Sequence, residues 1–439
     1  MKYYSWEWKA YNYKSQIRMK VLFISYKYIP EISADITWMV NVFELLYHEK
    51  DIETDVCTLT RNRFRKNERI GNVNVIRLWR FWDYYCHIKD SIKWILLNHR
   101  FTRGAIKRVY DFFTNPLYNL ILKHSCYGES SFANNISTFI DSSKYDIVVT
   151  YVRPGQNAAA AYNIKLENPQ IKWINCYFDM YSSVPFYDEE TLKVLREQES
   201  LWTKTADVSI YAKDLAPLVI KTEFWNDKTL SLPIPAFALK DITPEEDLSD
   251  SLDYIDVAYT GQFYEDIRRA DFLLELFRAI CERCKNVRLH IAGRGMESTI
   301  ESYKIVMGDN LIIYGCLSLE ETNELLNKAN ILVNVGNTVP YFLPSKLLSY
   351  LKTCKPILHI FSNSEDVSIG YMDRYPLHLC IEQQELNEEL VRTVLDFIED
   401  SKDKRCDPNE IKRVYAEDSA EYFTERLVDI FRTLVNDKR

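Results

Sequence analysis

Four places in the second half of this 439-residue sequence combine residue types suited to holding an anion. Gly261 stands in YTGQFYEDIRRADF, Gly293 and Gly295 in LHIAGRG, and Gly315 in NLIIYGCLSLEETNELL, each after a short apolar run that reads as a β-strand. The fourth place is NTVPYFLPSKLLSYL, where Pro344, Ser345 and Lys346 open a predicted helix. The free N–H groups and partial positive charge at a helix start suit a phosphate, and Pro loses nothing in the first turn. Each place alone is also an ordinary turn or helix start; four at successive strand ends point to one ligand site. In the first half, Arg153 in TYVRPG and Asp179 in NCYFDMY each follow a predicted strand. There Asp179 could hold an attacking hydroxyl and Arg153 a phosphate, or both could be loop charges in solvent.

The elements that must position these residues alternate strand and helix, the pattern of parallel-sheet α/β domains. The first half reads as strands at 21–25, 55–59, 73–78, 146–150, 171–176 and 208–211, with helices at 35–48, 157–166 and 189–204. Residues 241–256 (DITPEEDLSDSLDYID) are acidic and aperiodic and read as an interdomain linker. A second series follows: strands at 257–260, 288–292, 311–314, 331–335 and 356–359, with helices at 270–284, 319–328 and 345–353. Two helical segments, 408–418 and 420–434, end the chain. The expected organisation is an extension over 1–18, one doubly wound domain over 19–240, a second over 257–405, and terminal helices over 406–439. In 420–434, Tyr422, Leu427, Ile430, Phe431 and Leu434 form one apolar stripe, which is expected to cross back onto the first domain.

The length exceeds what one hydrophobic core usually organises, which supports two domains. The net charge of −8 argues against a general nucleic-acid binder. The ten cysteines lack paired spacing; Cys281 and Cys284 fall on a predicted helix with no second pair to complete a zinc site, so reduced, buried thiols in a cytoplasmic protein are expected. Residues 1–18 alternate aromatic and polar side chains without a signal-peptide core; either Met19 is the start or this arm is appended.

Residues 61–127 stand apart. They hold 14 Lys or Arg against 4 Asp or Glu, and twelve aromatics lie between Trp79 and Tyr127. Such a helical insertion suits an anionic membrane face, or an acceptor on a lipid diphosphate. It also fits a satellite core with solvated charges.

The segment 257 to about 401 resembles glycosyltransferase family 4 and its GT-B relatives, most closely over 310–356. Many members carry PSK-x-x-E-Y-x-x-x-G-K-P where this chain reads PSKLLSYLKTCKP. The resemblance implies a GT-B fold of two Rossmann-like domains facing a central cleft, with a nucleotide-diphosphate sugar as donor and no metal cofactor. It implies the base near Gly315, the diphosphate near Gly261 and the Ser345–Lys346 helix start, and the sugar near Tyr341. Arg268, or its neighbour Arg269, falls where relatives hold the diphosphate by a cation. Relatives usually have two glutamates where this chain has Tyr341 and Ser349, and a glycine where it has Cys354. Ser349 lies one turn beyond Ser345 and so points at the expected ribose. No Asp-x-Asp metal motif occurs.

The expected activity is retaining transfer of a sugar to a hydroxyl of a glycan or lipid-linked saccharide, in the cytoplasm or at the inner membrane face, within surface polysaccharide or glycoconjugate assembly. A non-catalytic binding protein and a sugar-nucleotide epimerase of the same fold are the alternatives.

Overall fold

The computed structural model describes residues 19–29, 34–59, 67–71, 73–78, 132–133, 136–153, 155–184, 187–242 and 254–436. The extension over 1–18, residues 61–66, 72 and 79–127 of the basic insertion and residues 243–253 of the linker lie outside them.

Two sheets form the frame. The first runs β3 (Glu68–Ile70), β4 (Val73–Leu78), β2 (Ile52–Leu59), β1 (Met19–Ser25), β5 (Ile147–Tyr151), β6 (Lys172–Tyr177), β7 (Val208–Ala212) and β8 (Thr229–Leu232). All neighbours are parallel except β3 and β4. The second runs β11 (Leu311–Gly315), β10 (Val287–Ala292), β9 (Ile255–Thr260), β12 (Ile331–Val335), β13 (Ile357–Phe361) and β14 (His378–Glu382), all parallel. Central strands such as β9 (IDVAYT) and β12 (ILVNV) are buried at every position, as covering on both faces requires. In the second sheet the strand order reverses between β9 and β12, and the crevice beyond their carboxyl ends is the ligand position of this architecture.

Three boundaries differ from the sequence reading. Ile255 and Asp256 belong to β9, not to the linker, because the Asp256 carboxylate takes both Arg288 and His290 from the neighbouring strand. Residues 68–70 of the basic segment add strand β3 to the sheet, beside the expected strand at 73–78. The helix opening at Ser345 closes at Leu351, two residues early, and Pro344 sits just outside it. The turn that follows puts Cys354 at φ +57°, a left-handed conformation that usually favours glycine.

The last helix, Ala420–Asn436, packs on the first domain. Ala420 N donates to Phe237 O, Leu239 N donates to the Glu421 carboxylate, and Arg432 reaches Glu49 and Asp51. Phe423 meets Phe178 edge-on, and Leu427, Ile430, Phe431 and Leu434 are all buried. Just before it lies a polar junction between the domains. Asp418, 2% exposed, takes both Lys213 and Arg374, while the Tyr371 hydroxyl donates to Asp214 at 3.0 Å. Among the described residues no helix is long and apolar enough to cross a membrane, and all eight cysteines are free.

Candidate functional site

The end of β9 and the short helix from Ser345 to Leu351 are locked together through Tyr350. This fully buried ring accepts the Thr260 N–H at 2.9 Å and lies 3.0 Å from the Thr260 hydroxyl. The chain then turns at Gly261, whose φ of +134° excludes a side chain. Gly293 packs closer still: a Cβ there would stand 1.8 Å from the Gly261 carbonyl oxygen. The two strand ends are tied by Gly261 N donating to Ala292 O and Gly293 N donating to Gly315 O. Thus Gly261, Gly293 and Gly315 form one contiguous edge, as their spacing at strand ends suggested.

Two cations occupy that edge. The Nζ of Lys346 lies 3.7 Å from the Tyr259 ring centroid, beside the bare face of Gly261. It is sealed from solvent and, among the described residues, has no hydrogen-bond partner. Arg268 donates from Nη2 to Asn337 Oδ1 at 2.7 Å and from Nη1 to Gln262 O at 3.3 Å, and its Nε is buried without a partner. Burial, and second the facing Arg268 charge, push the Lys346 ammonium well below the usual lysine range. Arg269 points elsewhere and pairs with Asp271 at 2.8 Å, which separates the two adjacent arginines. Two cations facing each other with unsatisfied donors and no carboxylate between them have the chemistry to accept an anion.

The loop after β12 forms the adjoining wall. Asn337, 1% exposed, also donates from Nδ2 to Phe342 O, and Thr338 N donates to Ile267 O at 2.8 Å. The Thr338 hydroxyl donates to Asp266 O at 3.0 Å. This stitching fixes Tyr341 next to the Arg268 loop. Between the domains lies a cavity of about 570 Å³, with Met180, Ser183 and Leu218 on one side and Asp266, Thr338, Val339, Pro340 and Tyr341 on the other. Ser345 and Ser349 are both exposed on one face of their helix.

Asp179 and Arg153 are placed differently. Each stands two residues past its strand, β6 or β5, at the carboxyl edge of the first sheet. Asp179 borders a small cavity beneath the cleft wall, with Glu199 and Tyr211. Neither residue lines the cavity that holds Tyr341. Sequence reasoning missed Asn337, Tyr259 and Glu199. Tyr259 reads as core and Glu199 as one more polar residue of a helix. A polar residue directly beyond a buried strand was the available signal for Asn337.

Residues 255–400 match the family model described as glycosyl transferases group 1. By its second domain, the chain is a glycosyltransferase. Over its whole length this glycosyltransferase is similar in structure to sucrose-phosphate synthase from Thermosynechococcus elongatus. The identity is 14%, with 96% of this chain and 100% of that one covered and a TM-score of 0.61. It is similar to a mutant S. aureus TarM in complex with fondaparinux, alpha-GlcNAc-glycerol and UDP (11% identity, 94% and 99% covered, TM-score 0.57). It is also similar to a Listeria monocytogenes protein assigned as a UDP-N-acetylglucosamine 2-epimerase (12%, 94% and 95%, 0.53). These likenesses establish the GT-B fold of the glycosyltransferase. No curated protein matches the sequence.

Proposed function

We propose that the glycosyltransferase moves a sugar, with retention, from a nucleotide-diphosphate donor to a hydroxyl of a glycan or lipid-linked saccharide in surface polysaccharide or glycoconjugate assembly. The observation that carries this reading is the pairing of Lys346, whose buried ammonium has no partner among the described residues, with Arg268, whose Nε is buried without one, at the open edge of Gly261. A diphosphate would satisfy both. As the bond to the sugar breaks, charge grows on the leaving diphosphate, and fixed cations in a desolvated site lower that barrier. In this reading they supply the positive charge for which other transferases use a metal, and no cofactor is needed. Tyr341 would face the sugar, and Ser349, one turn past Ser345, would reach the ribose by its hydroxyl. The base would lie near Gly315. Asp179 and Arg153 would act on the acceptor side only after the domains close, since neither lines the open cavity. The basic, aromatic segment 61–127 would bring the enzyme to the anionic inner face of the membrane and to a lipid-linked acceptor there.

A thermal-shift panel of UDP, GDP, ADP and CMP sugars tests the donor reading, with Arg268→Ala and Lys346→Ala beside the unmodified chain. One class of nucleotide should stabilise the protein, and each substitution should weaken its binding by about 1.5–3 kcal/mol. Equal nucleotide affinity in all three proteins would remove the site. Epimerisation is disfavoured by the described histidines in the second domain. His290 is engaged by Asp256 and Tyr314, His359 is fully buried between Asn334 and Asp366, His378 contacts Tyr375 O, and none of the three lines the interdomain cavity. A donor returned as its epimer without any acceptor would nevertheless reverse that ranking.

A further inference from the structure

The small cavity beside Asp179 and the interdomain cavity share a wall. Met180, Ser183 and Leu218 line both, so the cleft face of the first domain is there one layer of side chains thick. Met180 and Ser183 belong to an irregular segment that follows β6. Without strand or helix bonds of its own, such a segment keeps its shape only if something behind it holds it. The helix Glu189–Thr205 does so with three side chains. Ser182 donates to Glu199 Oε2 from its N–H at 3.2 Å and also from its hydroxyl. The Tyr181 hydroxyl donates to Gln198 Oε1 at 2.7 Å, and its ring tilts against Trp202 with centroids 5.3 Å apart. Gly155 leaves room for that hydroxyl, since a Cβ there would stand 2.5 Å from it.

Glu199 is the least expected of the three. It is 3% exposed, and the titratable groups around it among the described residues are Tyr177, Tyr211 and Asp179, none of them a cation. Burial pushes its carboxyl above the ordinary range. A buried carboxyl with no cation beside it costs stability, and an apolar side chain of that size would pack at lower cost. What an apolar side chain lacks is a pair of acceptor oxygens. Here Oε2 takes Ser182, and Oε1 takes the Tyr211 hydroxyl at 2.8 Å. Tyr211 is itself fixed in a stack with Tyr177, 4.4 Å between centroids, so the carboxyl ties the back of the wall to the sheet. Resting on the transfer reading above, we propose that Glu199 is a positioning residue of the glycosyl transfer. Through Ser182 it sets the surface that Met180 and Ser183 present to the sugar, and the direction in which Asp179 meets the acceptor. It touches neither substrate. Its charge is not required, because Oε2 accepts from Ser182 whether or not Oε1 carries a proton.

The test measures release of nucleoside diphosphate from UDP-glucose, UDP-N-acetylglucosamine, GDP-mannose and ADP-glucose by the full chain, with water as acceptor. No release from any of them by the unmodified protein would sink the transfer reading, and this proposal with it. On the donor that is used, Glu199→Leu should lower kcat about 10–100-fold, the scale of a displacement of about 1 Å near a reacting group. The donor KM, and the affinity for the bare nucleoside diphosphate read by calorimetry, should stay unchanged, since Arg268 and Lys346 lie in the other domain. Ser182→Ala removes one of the two bonds and should lower kcat in the same way but less. Glu199→Gln keeps an oxygen for Ser182 and turns its amide N–H to the Tyr211 oxygen, so it should retain most of the turnover. A kcat that neither Glu199→Leu nor Ser182→Ala moves would overturn the proposal and leave the transfer reading standing. So would a Gln variant as slow as the Leu variant, because the charge or proton of Glu199 would then enter the reaction. A donor KM that rises together with the loss would also overturn it, as the sign of general damage rather than of a displaced wall.

Discussion

Two pairs of cations lie against tyrosine rings in this molecule, and they differ in one respect. At the domain junction, Lys213 stands 5.0 Å from the Tyr371 ring centroid and Arg374 stands 4.8 Å from that of Tyr415. Asp418 pairs with both, and Asp214 beside them supplies the second negative charge. At the edge of Gly261, Lys346 lies over Tyr259 and Arg268 faces it, with an amide, Asn337, where a carboxylate could have stood. A structural cation pair completes its own charge balance within the chain. The second pair does not, and on the function proposed above its charge is left for the donor diphosphate.

Removing the balancing charge from the first pair gives the largest expected effect. Asp418→Ala leaves Lys213 and Arg374 with Asp214 alone to balance them. Chemical denaturation should show a loss of about 2–3 kcal/mol, reduced from the full cost of breaking a buried pair because both cations are partly exposed. The donor pair should respond in the opposite sense. Asn337→Asp gives that pair the carboxylate it lacks, so the empty protein should gain stability while nucleoside diphosphate affinity falls by about tenfold or more, read by calorimetry. A gain in both would erase the distinction between the two pairs.

Lys346→Met should also stabilise the empty protein, by about 1–2 kcal/mol, because it removes a buried donor that has no partner. The pH dependence has a definite sign. The folded-state pKa of Lys346 is depressed, so between that pKa and its unfolded value the unfolded chain binds more protons and stability rises with pH. The deficit of the unmodified protein relative to Lys346→Met should therefore shrink as pH is raised toward about 10. A constant difference from pH 6 to 10 would mean that Lys346 is not the group responsible. The smallest effect belongs to Ser349→Ala. Its exposed hydroxyl should contribute under about 1 kcal/mol to nucleotide affinity, and nothing to stability.

Much of the frame was legible because periodicity reports burial. Strands such as 331–335 and helices such as 319–328 were readable to the residue, and the structure opens the latter with a complete capping box of Ser318 and Glu321. Strands β8 and β14 were missed: TLSL is too short, and the HLCIE of an edge strand too mixed, to carry a pattern. The glycines and Lys346 of the donor edge were visible as punctuation at strand ends. The separation of Arg268 from Arg269 was not, since adjacent residues of like type differ only in the direction their loop gives them. Nor was the fixing role of Asn337, which depends on residues 69 positions away in sequence. The place of Asp179 beside Glu199 escaped for the same reason: the sequence orders strand ends but says nothing of what packs beneath a turn.

The crossing of the final helix has a consequence for how the chain is made. The first-domain helix Ala34–Leu46 buries Ile36, Met39, Val42 and Phe43, and the terminal helix is one of the elements that cover it. During synthesis that cover leaves the ribosome about 190 residues after the first domain has emerged. At ordinary elongation rates the interval is about 10–40 s, during which an otherwise complete domain presents an apolar flank. Nascent chains stalled anywhere in the second domain would expose the same surface. The protein therefore has a built-in need for protection during translation, set by the topology of its own tail.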